Sequence, residues 1–320
     1  MHEPASSTDV PVAPLSPAAD VLLAGIGAVM GSVERQSVAA LRARASLAPS
    51  APSADSAIRV TDHTEHNVRV HRPAQSAGVL VAFHGGGFVL GGLGAADRLC
   101  TRLARSLGWT VVAVDYPLSP EHPLPAAIET GLEAVRWAAG QCAALADVSR
   151  LGIVGDSAGG GIAAAVCHAL RGDASVAIEF QLLLQPVVRC RIDPHGYPSD
   201  RDTALLTAEA MAFYSRQYLA GGCAADDPRA SPVLATDLAG LPPTIVATSG
   251  HDPLAPDAAK YVHRLLAADV FTLHLHEPTG FHGWFSFVDV LDDAATGWAR
   301  VVEQTTSMAN HALGWEPPVR

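Results

Sequence analysis

Short apolar runs that are typical of buried strands alternate with helical stretches along most of this 320-residue chain. Eight runs have a strand-like pattern: IRVTDH, HNVRVHR, GVLVAF, TVVAVD, LGIVG, IEFQLLLQ, PTIVATS and FTLHLHE. Helical patterning lies between or after them, near residues 95–107, 125–146, 158–171, 256–268 and 286–312. Because parallel strands are joined by long crossover connections, this alternation predicts a mostly parallel sheet with helices on both faces.

The position of a strand within this sheet can be inferred from its pattern. The middle runs are apolar almost throughout, as expected for strands that are buried on both faces. The first two runs alternate with polar residues and lie close together, so we expect them to form an antiparallel edge. The predicted fold class is therefore α/β, with eight strands in one mostly parallel sheet.

Two segments do not follow the alternation of strands and helices. The N-terminal segment has a tail rich in Pro, Ser and Ala, two helical stretches near 19–31 and 34–47, and a linker, LAPSAPSADSA. The second segment, between two strands, has helix-like patterning with Met211, Phe213, Tyr214 and Tyr218. We expect both to pack above the sheet as a helical cap. The predicted organisation is a tail with cap helices (1–55), a cap insertion (191–222) and a core (56–190 and 223–320).

Composition and charge restrict the classes of partner. Hydrophobic residues make up 49% of the chain, which is enough for a large core. The 21 Lys and Arg residues against 32 Asp and Glu residues give a net charge of −11, and no basic cluster interrupts that balance. A nucleic-acid partner is therefore not expected, since such proteins present a basic surface.

The cysteines and the N-terminus bear on where the protein works. The five cysteines are scattered without a C-x-x-C pair, which argues against disulfides and a zinc site and favours the cytoplasm. The apolar run VLLAGIGAVMG at 21–31 follows acidic residues and no Lys or Arg, whereas a signal peptide has a positive start. The run also looks too short to cross a bilayer, so no transmembrane segment is expected.

The segment GDSAG, residues 155–159, is the first sign of chemistry. It has the pattern G-x-S-x-G, and it lies between the strand LGIV and the helix IAAAVCHAL. Glycines allow a sharp turn there, which would expose the Ser157 hydroxyl at the top of the sheet near a helix N-terminus. A glycine-rich phosphate loop or a plain tight turn are the alternatives. The strand before and the helix after favour a nucleophilic serine.

A serine hydroxyl is a weak nucleophile unless a base accepts its proton. In this strand-turn-helix architecture the order along the chain is Ser, then Asp or Glu, then His. Among the late histidines, His274, His276 and His311 look like strand-face or helix residues. His282 follows the last strand between Gly280 and Gly283, so we take it as the base. Asp252, in the loop after the preceding strand, is the predicted acid, with Asp257 as the alternative.

Three glycines in a row follow the strand GVLVAF, in the segment HGGG at 84–87. Acyl transfer places negative charge on a carbonyl oxygen, and backbone N–H groups fixed in advance stabilise that charge. We predict that the amides of Gly86, Gly87 and Ala158 form such an oxyanion hole. His84 is expected to hold the loop by hydrogen bonding. The alternative for the glycines is a flexible turn.

Taken together, these motifs resemble the hormone-sensitive-lipase-like family of α/β-hydrolases, the bacterial family IV esterases. The resemblance covers roughly residues 58–310 and rests on HGGGF (84–88), DYPLSPEHPLPAA (115–127), GDSAGG (155–160), DPL (252–254) and the FHG that contains His282. It implies an α/β-hydrolase fold with a helical cap, the triad and oxyanion hole named above, and a homodimer. The chain departs from the family pattern at Pro117, at Ser119 and at Ala255-Pro256-Asp257.

These observations together predict a serine carboxylester hydrolase that works through an acyl-enzyme without metal or cofactor. The apolar cap favours small-molecule esters with short to medium acyl chains or aryl groups. Phe88, Met211, Tyr214 and Tyr218 are the predicted substrate-binding residues. An amidase or lactonase with the same triad is an alternative, and a non-catalytic small-molecule receptor on the same fold is another.

Overall fold

A computed structural model describes residues 10–45 and 57–311 of the chain. Its eight strands form one sheet: β1 (Ile58–His63), β2 (Val68–Pro73), β3 (Val79–Phe83), β4 (Thr110–Val114), β5 (Leu151–Asp156), β6 (Phe180–Leu184), β7 (Thr244–His251) and β8 (Thr272–Phe281). The strand order is β1-β2-β4-β3-β5-β6-β7-β8. The pairs β1/β2 and β2/β4 are antiparallel and all other pairs are parallel. The predicted α/β sheet with an antiparallel edge is therefore confirmed.

Helices cover both faces of the sheet. Those of the described residues are α1 (Pro17–Met30), α2 (Val38–Ala45), α3 (Leu93–Leu107), α4 (Ala126–Leu145), α5 (Ala158–Leu170), α6 (Ala208–Tyr218), α7 (Ala255–Ala267) and α8 (Asp292–His311). Alternate side chains of each central strand enter different cores, because successive residues of a strand point to opposite faces. Val81 and Phe83 pack with α4, α5 and α7. Leu80 and Ala82 pack with α3 and α8.

Two predicted helices differ from the observed ones. The stretch near 34–47 is a 3-10 turn at Val33–Arg35 followed by α2. The break lies where the Ser37 hydroxyl accepts a hydrogen bond from the Ala40 amide and so begins a new helix. The stretch near 286–312 is a 3-10 turn at Trp284–Phe287 followed by α8. Residues 1–9 of the predicted tail and 46–56, which hold most of the predicted linker, lie outside the described residues.

The segment between β6 and β7 makes the largest excursion from the sheet. The chain leaves the sheet after Leu184 and returns at Thr244, so the excursion extends beyond the predicted insertion at both ends. Its helix α6 packs against the N-terminal 3-10 turn at Val33–Arg35. The N-terminal segment and this excursion therefore lie together above one end of the sheet.

Arginines fasten the N-terminal segment to the core. Arg42 of α2 donates to both carboxylate oxygens of Glu121, at 2.9 and 2.8 Å, and to the carbonyls of Val89 and Ser119. Buried Arg201 donates to the carbonyls of Gly250 and Val10, at 2.9 Å each. These bonds satisfy backbone carbonyls, and they fix the segment over the carboxyl ends of the strands.

Helix α1 is apolar but only partly covered. Ala19 and Leu23 are buried, whereas Val21 and Val29 are 75% and 72% exposed. With the 3-10 turn that follows, the stretch Pro17–Arg35 has the length and composition that would allow a membrane span, at a mean hydropathy of 1.3. Core helices and N-terminal signal sequences also meet this criterion. The length and composition of this longer stretch alone therefore do not exclude a membrane span. The helix α1 itself, at about 21 Å, is shorter than a bilayer core of about 30 Å.

Candidate active site

Ser157 lies in a sharp turn between β5 and α5. Its backbone has φ 54° and ψ −116°, a conformation that costs a non-glycine residue free energy and is typical of functional turns. A methyl group at Gly155 would overlap the carbonyl oxygen of Gly159, and one at Gly159 would overlap that of Phe83. Both glycines of the G-x-S-x-G motif are therefore required for the turn.

The structure brings the three predicted residues into one hydrogen-bonded chain. Ser157 Oγ lies 2.9 Å from His282 Nε2, and His282 Nδ1 lies 2.9 Å from Asp252 Oδ2. The second carboxylate oxygen of Asp252 accepts a hydrogen bond from the Leu254 amide at 2.9 Å. Asp252 is completely buried, so its charge acts on the imidazole with little screening by water. This arrangement suits transfer of the serine proton to the imidazole.

The other candidates for base and acid have different partners. His274 and His276 lie on β8, and each has a ring nitrogen 2.8 Å from Thr248 Oγ1. Asp257 forms an ion pair with Arg191 at 2.7 Å. These contacts hold the strand edge and the start of α7, and they leave His282 and Asp252 beside Ser157.

The pKa of His282 reflects opposing influences. Burial lowers it, whereas the charge and hydrogen bond of Asp252 raise it, and the charge of Asp156 raises it further. The raising influences together outweigh burial, so the pKa of His282 lies above its ordinary value of 6.5. The direction of this shift favours the imidazolium that forms when His282 accepts the serine proton.

The glycine loop leaves the sheet beside the Ser157 turn, because β3 and β5 are parallel neighbours. Gly86 has φ +125° and Gly87 has φ +62°, both in the region that favours glycine. A methyl group at Gly86 would overlap the carbonyl of Leu90, and one at Gly87 would overlap the ring of Tyr214. The shape of the loop therefore requires Gly86, and its close approach to the helix α6 requires Gly87.

His84 holds this loop, as its place in the motif predicts. Its Nδ1 donates to the Gly85 carbonyl at 2.7 Å, and its Nε2 accepts from the Gly92 amide at 3.0 Å. Burial lowers the pKa of His84 to about 4, so the ring is neutral and one nitrogen can accept. The ring of Tyr116 stacks on it at 4.2 Å.

The amides of Gly86, Gly87 and Ala158 share one property. Within the described part of the chain, none of the three donates a hydrogen bond. A buried amide without a partner costs about 1–3 kcal/mol, so such groups are usually paired. Donors left unpaired beside Ser157 are available to an oxygen atom of a ligand.

A cavity of about 910 Å³ opens above Ser157. Its walls come from the glycine loop, the first half of α3, the turn after His282, α2 and the excursion between β6 and β7; they include Arg42, Leu90, Ala95, Arg98, Arg102, Leu118, Asp156, Leu205, Leu206, Met211, Tyr214, Phe285 and Ser286. Two of the predicted substrate-binding residues, Met211 and Tyr214, therefore line the cavity.

The other two predicted substrate-binding residues, Phe88 and Tyr218, do not line this cavity. Their rings stack on each other with centroids 3.8 Å apart and an angle of 6° between the planes. Each is only 2% exposed and belongs to the core. Burial of two large rings against each other is more favourable than leaving them at a cavity wall, and the pair joins the glycine loop to α6.

The structure also shows a positioning residue that the sequence analysis missed. Gln185, at the end of β6, donates to Ser249 Oγ and to the carbonyl of Phe281, and its side-chain oxygen accepts from the Gly283 amide. It thus holds the backbone on both sides of His282. The signal available in the sequence was a polar glutamine at the end of an apolar run, directly before proline.

A second carboxylate, Asp156, lies beside the nucleophile. It lines the cavity, and a methyl group at Gly85 would approach its Oδ2 to 2.8 Å. Burial raises the pKa of Asp156 to about 6, with an opposing effect of His282 and a further rise from Asp252. In the described part of the chain no residue donates a hydrogen bond to this carboxylate.

A serine in a strained strand-to-helix turn, paired with a histidine and a buried aspartate on a mostly parallel sheet, defines a serine hydrolase of the α/β-hydrolase fold. A family model described as the alpha/beta hydrolase fold matches residues 80–286, which is more than half of the chain. The chain therefore belongs to this family, and within it to the hormone-sensitive-lipase-like group that its motifs resemble.

Individual relatives agree with this assignment. Carboxylesterase NlhH of Mycobacterium tuberculosis is 34% identical over 275 residues, which cover 84% of this chain and 86% of that protein. Esterase LipI of the same organism is 38% identical over 240 residues, covering 74% and 71%. A hyperthermophilic esterase from Pyrobaculum calidifontis superimposes with a TM-score of 0.84 at 31% identity, covering 93% of this chain and 99% of that one.

We predict that Gly86→Ala lowers kcat/KM for an ester about 10²- to 10³-fold, because the new methyl group displaces the loop and its amides. Gly172→Ala is the matched control, since Gly172 also has positive φ, +84°, but has nothing within 4 Å of the added carbon. The control should lose some stability and keep its kcat/KM. Full activity of Gly86→Ala would show that the loop amides are not needed.

We predict that Asp156→Asn stabilises the folded protein at pH 8, by roughly 1–2 kcal/mol in the free energy of unfolding. The unfolded carboxyl ionises near its ordinary pKa of 3.8 and the folded one near 6, so raising the pH between these values destabilises the wild type. Urea unfolding at pH 4.5 and pH 8 measures the difference. The gain should be larger at pH 8. Asp226→Asn, an exposed carboxylate, is the control. A gain of equal size at both pH values would contradict the buried-charge argument.

Proposed function

We propose that this protein is a serine carboxylester hydrolase that acts on small-molecule esters. The observation that carries the proposal is the chain from Asp252 through His282 to Ser157, which ends in a cavity beside amides without partners. Two relatives of this chain, a carboxylesterase and an esterase, support the same reaction class.

The residues would act in the following order. Ser157 Oγ attacks the ester carbonyl while His282 Nε2 takes its proton, and the amides of Gly86, Gly87 and Ala158 bind the resulting oxyanion. His282 then gives the proton to the leaving alcohol, and an acyl-enzyme forms on Ser157. Water then attacks this ester with His282 again as the base, the bond to Ser157 Oγ breaks, and His282 returns the proton to Oγ as the acid product leaves. Asp252 holds the tautomer of His282 and stabilises the imidazolium.

The cavity wall supports short to medium acyl chains or aryl esters as substrates. Its volume of about 910 Å³ suits a small molecule, and Leu90, Leu206, Met211 and Tyr214 give it apolar surfaces. The N-terminal residues 1–55 and the insertion 191–222 would act as the cap, since α2 and the segment from Leu205 to Tyr214 both contribute to the wall.

The location and assembly of the enzyme are part of this proposal. We infer a cytoplasmic enzyme from its five free cysteines, four of them buried, which are typical of a reducing compartment. We also infer a homodimer, supported by the position of β8 at the end of the sheet and by Phe271 beside it, which is 47% exposed. Analytical ultracentrifugation measures the oligomeric state directly.

We expect hydrolysis of p-nitrophenyl esters from C2 to C12 to peak between C2 and C8, and Ser157→Ala to abolish it. Ser286→Ala is the matched control, because Ser286 also lines the cavity, whereas the ring nitrogens of His282 bond to Asp252 and Ser157. It should retain most of the activity. Near-normal hydrolysis by Ser157→Ala would overturn the mechanism. A wild type that cleaves matched amides faster than esters would favour an amidase.

We expect kcat/KM to fall on the acidic side with a midpoint above pH 6.5. Protonated His282 cannot accept the serine proton, and its pKa is raised above that value. Asp252→Asn should lower kcat about 10⁴-fold and move the residual midpoint to lower pH, since the raising influence of the carboxylate is lost.

Asp257→Asn is the control for this experiment, because Asp257 is the other aspartate after β7 and pairs with Arg191. It should leave both the rate and the midpoint nearly unchanged. If Asp257→Asn rather than Asp252→Asn removed activity, the assignment of the acid would be wrong.

A further inference from the structure

We propose that Arg98 makes this cavity selective for esters that carry a carboxylate, such as half-esters of dicarboxylic acids. The inference rests on the proposed ester hydrolysis and concerns the substrate class of the same site. Two observations support this role of Arg98: the positions of the arginines that line the cavity, and which of these arginines already have an ion-pair or hydrogen-bond partner.

The helix α3 presents two different faces. Cys100 and Leu103 lie on the buried face, in the core between α3 and the sheet. Ala95, Arg98 and Arg102 lie on the other face and line the cavity. Arg98 and Arg102 are four residues apart, so their guanidinium groups lie about one helical turn apart on the cavity wall. The other α3 residues that line this wall are small or apolar.

The arginines of the cavity wall differ in their partners. Arg42 is held by the carboxylate of Glu121. Arg102 donates to the carbonyl of Phe285 and to the carboxylate of Asp289, at 2.7 Å each. Arg98 is exposed and, among the described residues, has neither an ion pair nor a hydrogen bond. Its five donors are therefore available to a ligand, and their planar arrangement matches a carboxylate.

The two guanidinium groups of α3 influence each other. Burial lowers the pKa of Arg102, Asp289 opposes this, and the positive charge of Arg98 lowers it further. An anion bound at Arg98 would reduce this repulsion. The site thus gains from a negative charge in a way that a lone surface arginine would not.

The acidic groups of the cavity favour one orientation of such a substrate. Asp156 lies beside Ser157, so the floor of the cavity disfavours a second negative charge. The neutral ester carbonyl can lie at the floor, while the carboxylate of the substrate lies against α3. The net charge of −11 repels anions from the protein as a whole, so selectivity for an anionic ester requires a local group.

The test compares two substrates of the same length, mono-p-nitrophenyl adipate and p-nitrophenyl hexanoate, by their ratio of kcat/KM. We expect Arg98→Met to lower the adipate-to-hexanoate ratio about fivefold, mainly through KM, as is typical of an accessible ion pair. Arg98→Lys should keep most of the ratio. Raising the salt concentration from 0.05 to about 1 M should lower the wild-type ratio, because salt screens such pairs.

Arg59→Met is the matched control, since it removes the same charge from the exposed edge strand β1, away from the cavity. It should leave the ratio unchanged. An unchanged ratio in Arg98→Met, or equal losses on both substrates, would overturn the inference and leave ester hydrolysis intact. A wild type that hydrolysed neither ester would instead contradict the proposed function, and the inference with it.

Discussion

The parallel pairing of β3 with β5 is the contact on which the rest of the site depends. Phe83 lies opposite Gly155, so the glycine loop and the Ser157 turn leave the sheet side by side. Side chains at Gly85 or Gly159 would collide with the neighbouring turn. A shift of one residue in this register would also turn every core side chain of the strand to the wrong face. The position of the nucleophile relative to the loop amides is therefore fixed by the same packing that stabilises the sheet.

The base and acid depend on the other half of the sheet. Asp252 follows β7 and His282 follows β8, and these two strands are parallel neighbours. Gln185, at the end of β6, binds the backbone on both sides of His282 and the hydroxyl of Ser249. One buried amide side chain thus joins three strand ends. Since all its polar atoms are bonded, it holds His282 at hydrogen-bond distance from Ser157 without cost from unpaired groups.

The parts of the molecule that could be predicted are those in which a local geometry allows only certain residue types at a few neighbouring positions. A turn as sharp as that of Ser157 requires Gly155 and Gly159 within two positions, so the motif is readable in the sequence. The stacking of Phe88 on Tyr218 joins residues 130 positions apart, and no local pattern distinguishes such a core pair from cavity residues. The residues of α3 that line the cavity could not be predicted either, because the orientation of a helix on a sheet depends on contacts between residues distant in sequence.

The carboxylates and the guanidinium groups of the site lie on different elements, and the carboxylates are the ones that act on His282. Two carboxylates, Asp252 and Asp156, lie near His282 and favour its protonated form. A cation beside Ser157 would form a pair with Asp156 and would weaken that effect. Unpaired amides can stabilise an oxyanion without adding a net charge, so they are compatible with the carboxylates. The guanidinium groups of Arg98 and Arg102 lie on the α3 wall of the cavity, where Arg102 pairs with Asp289.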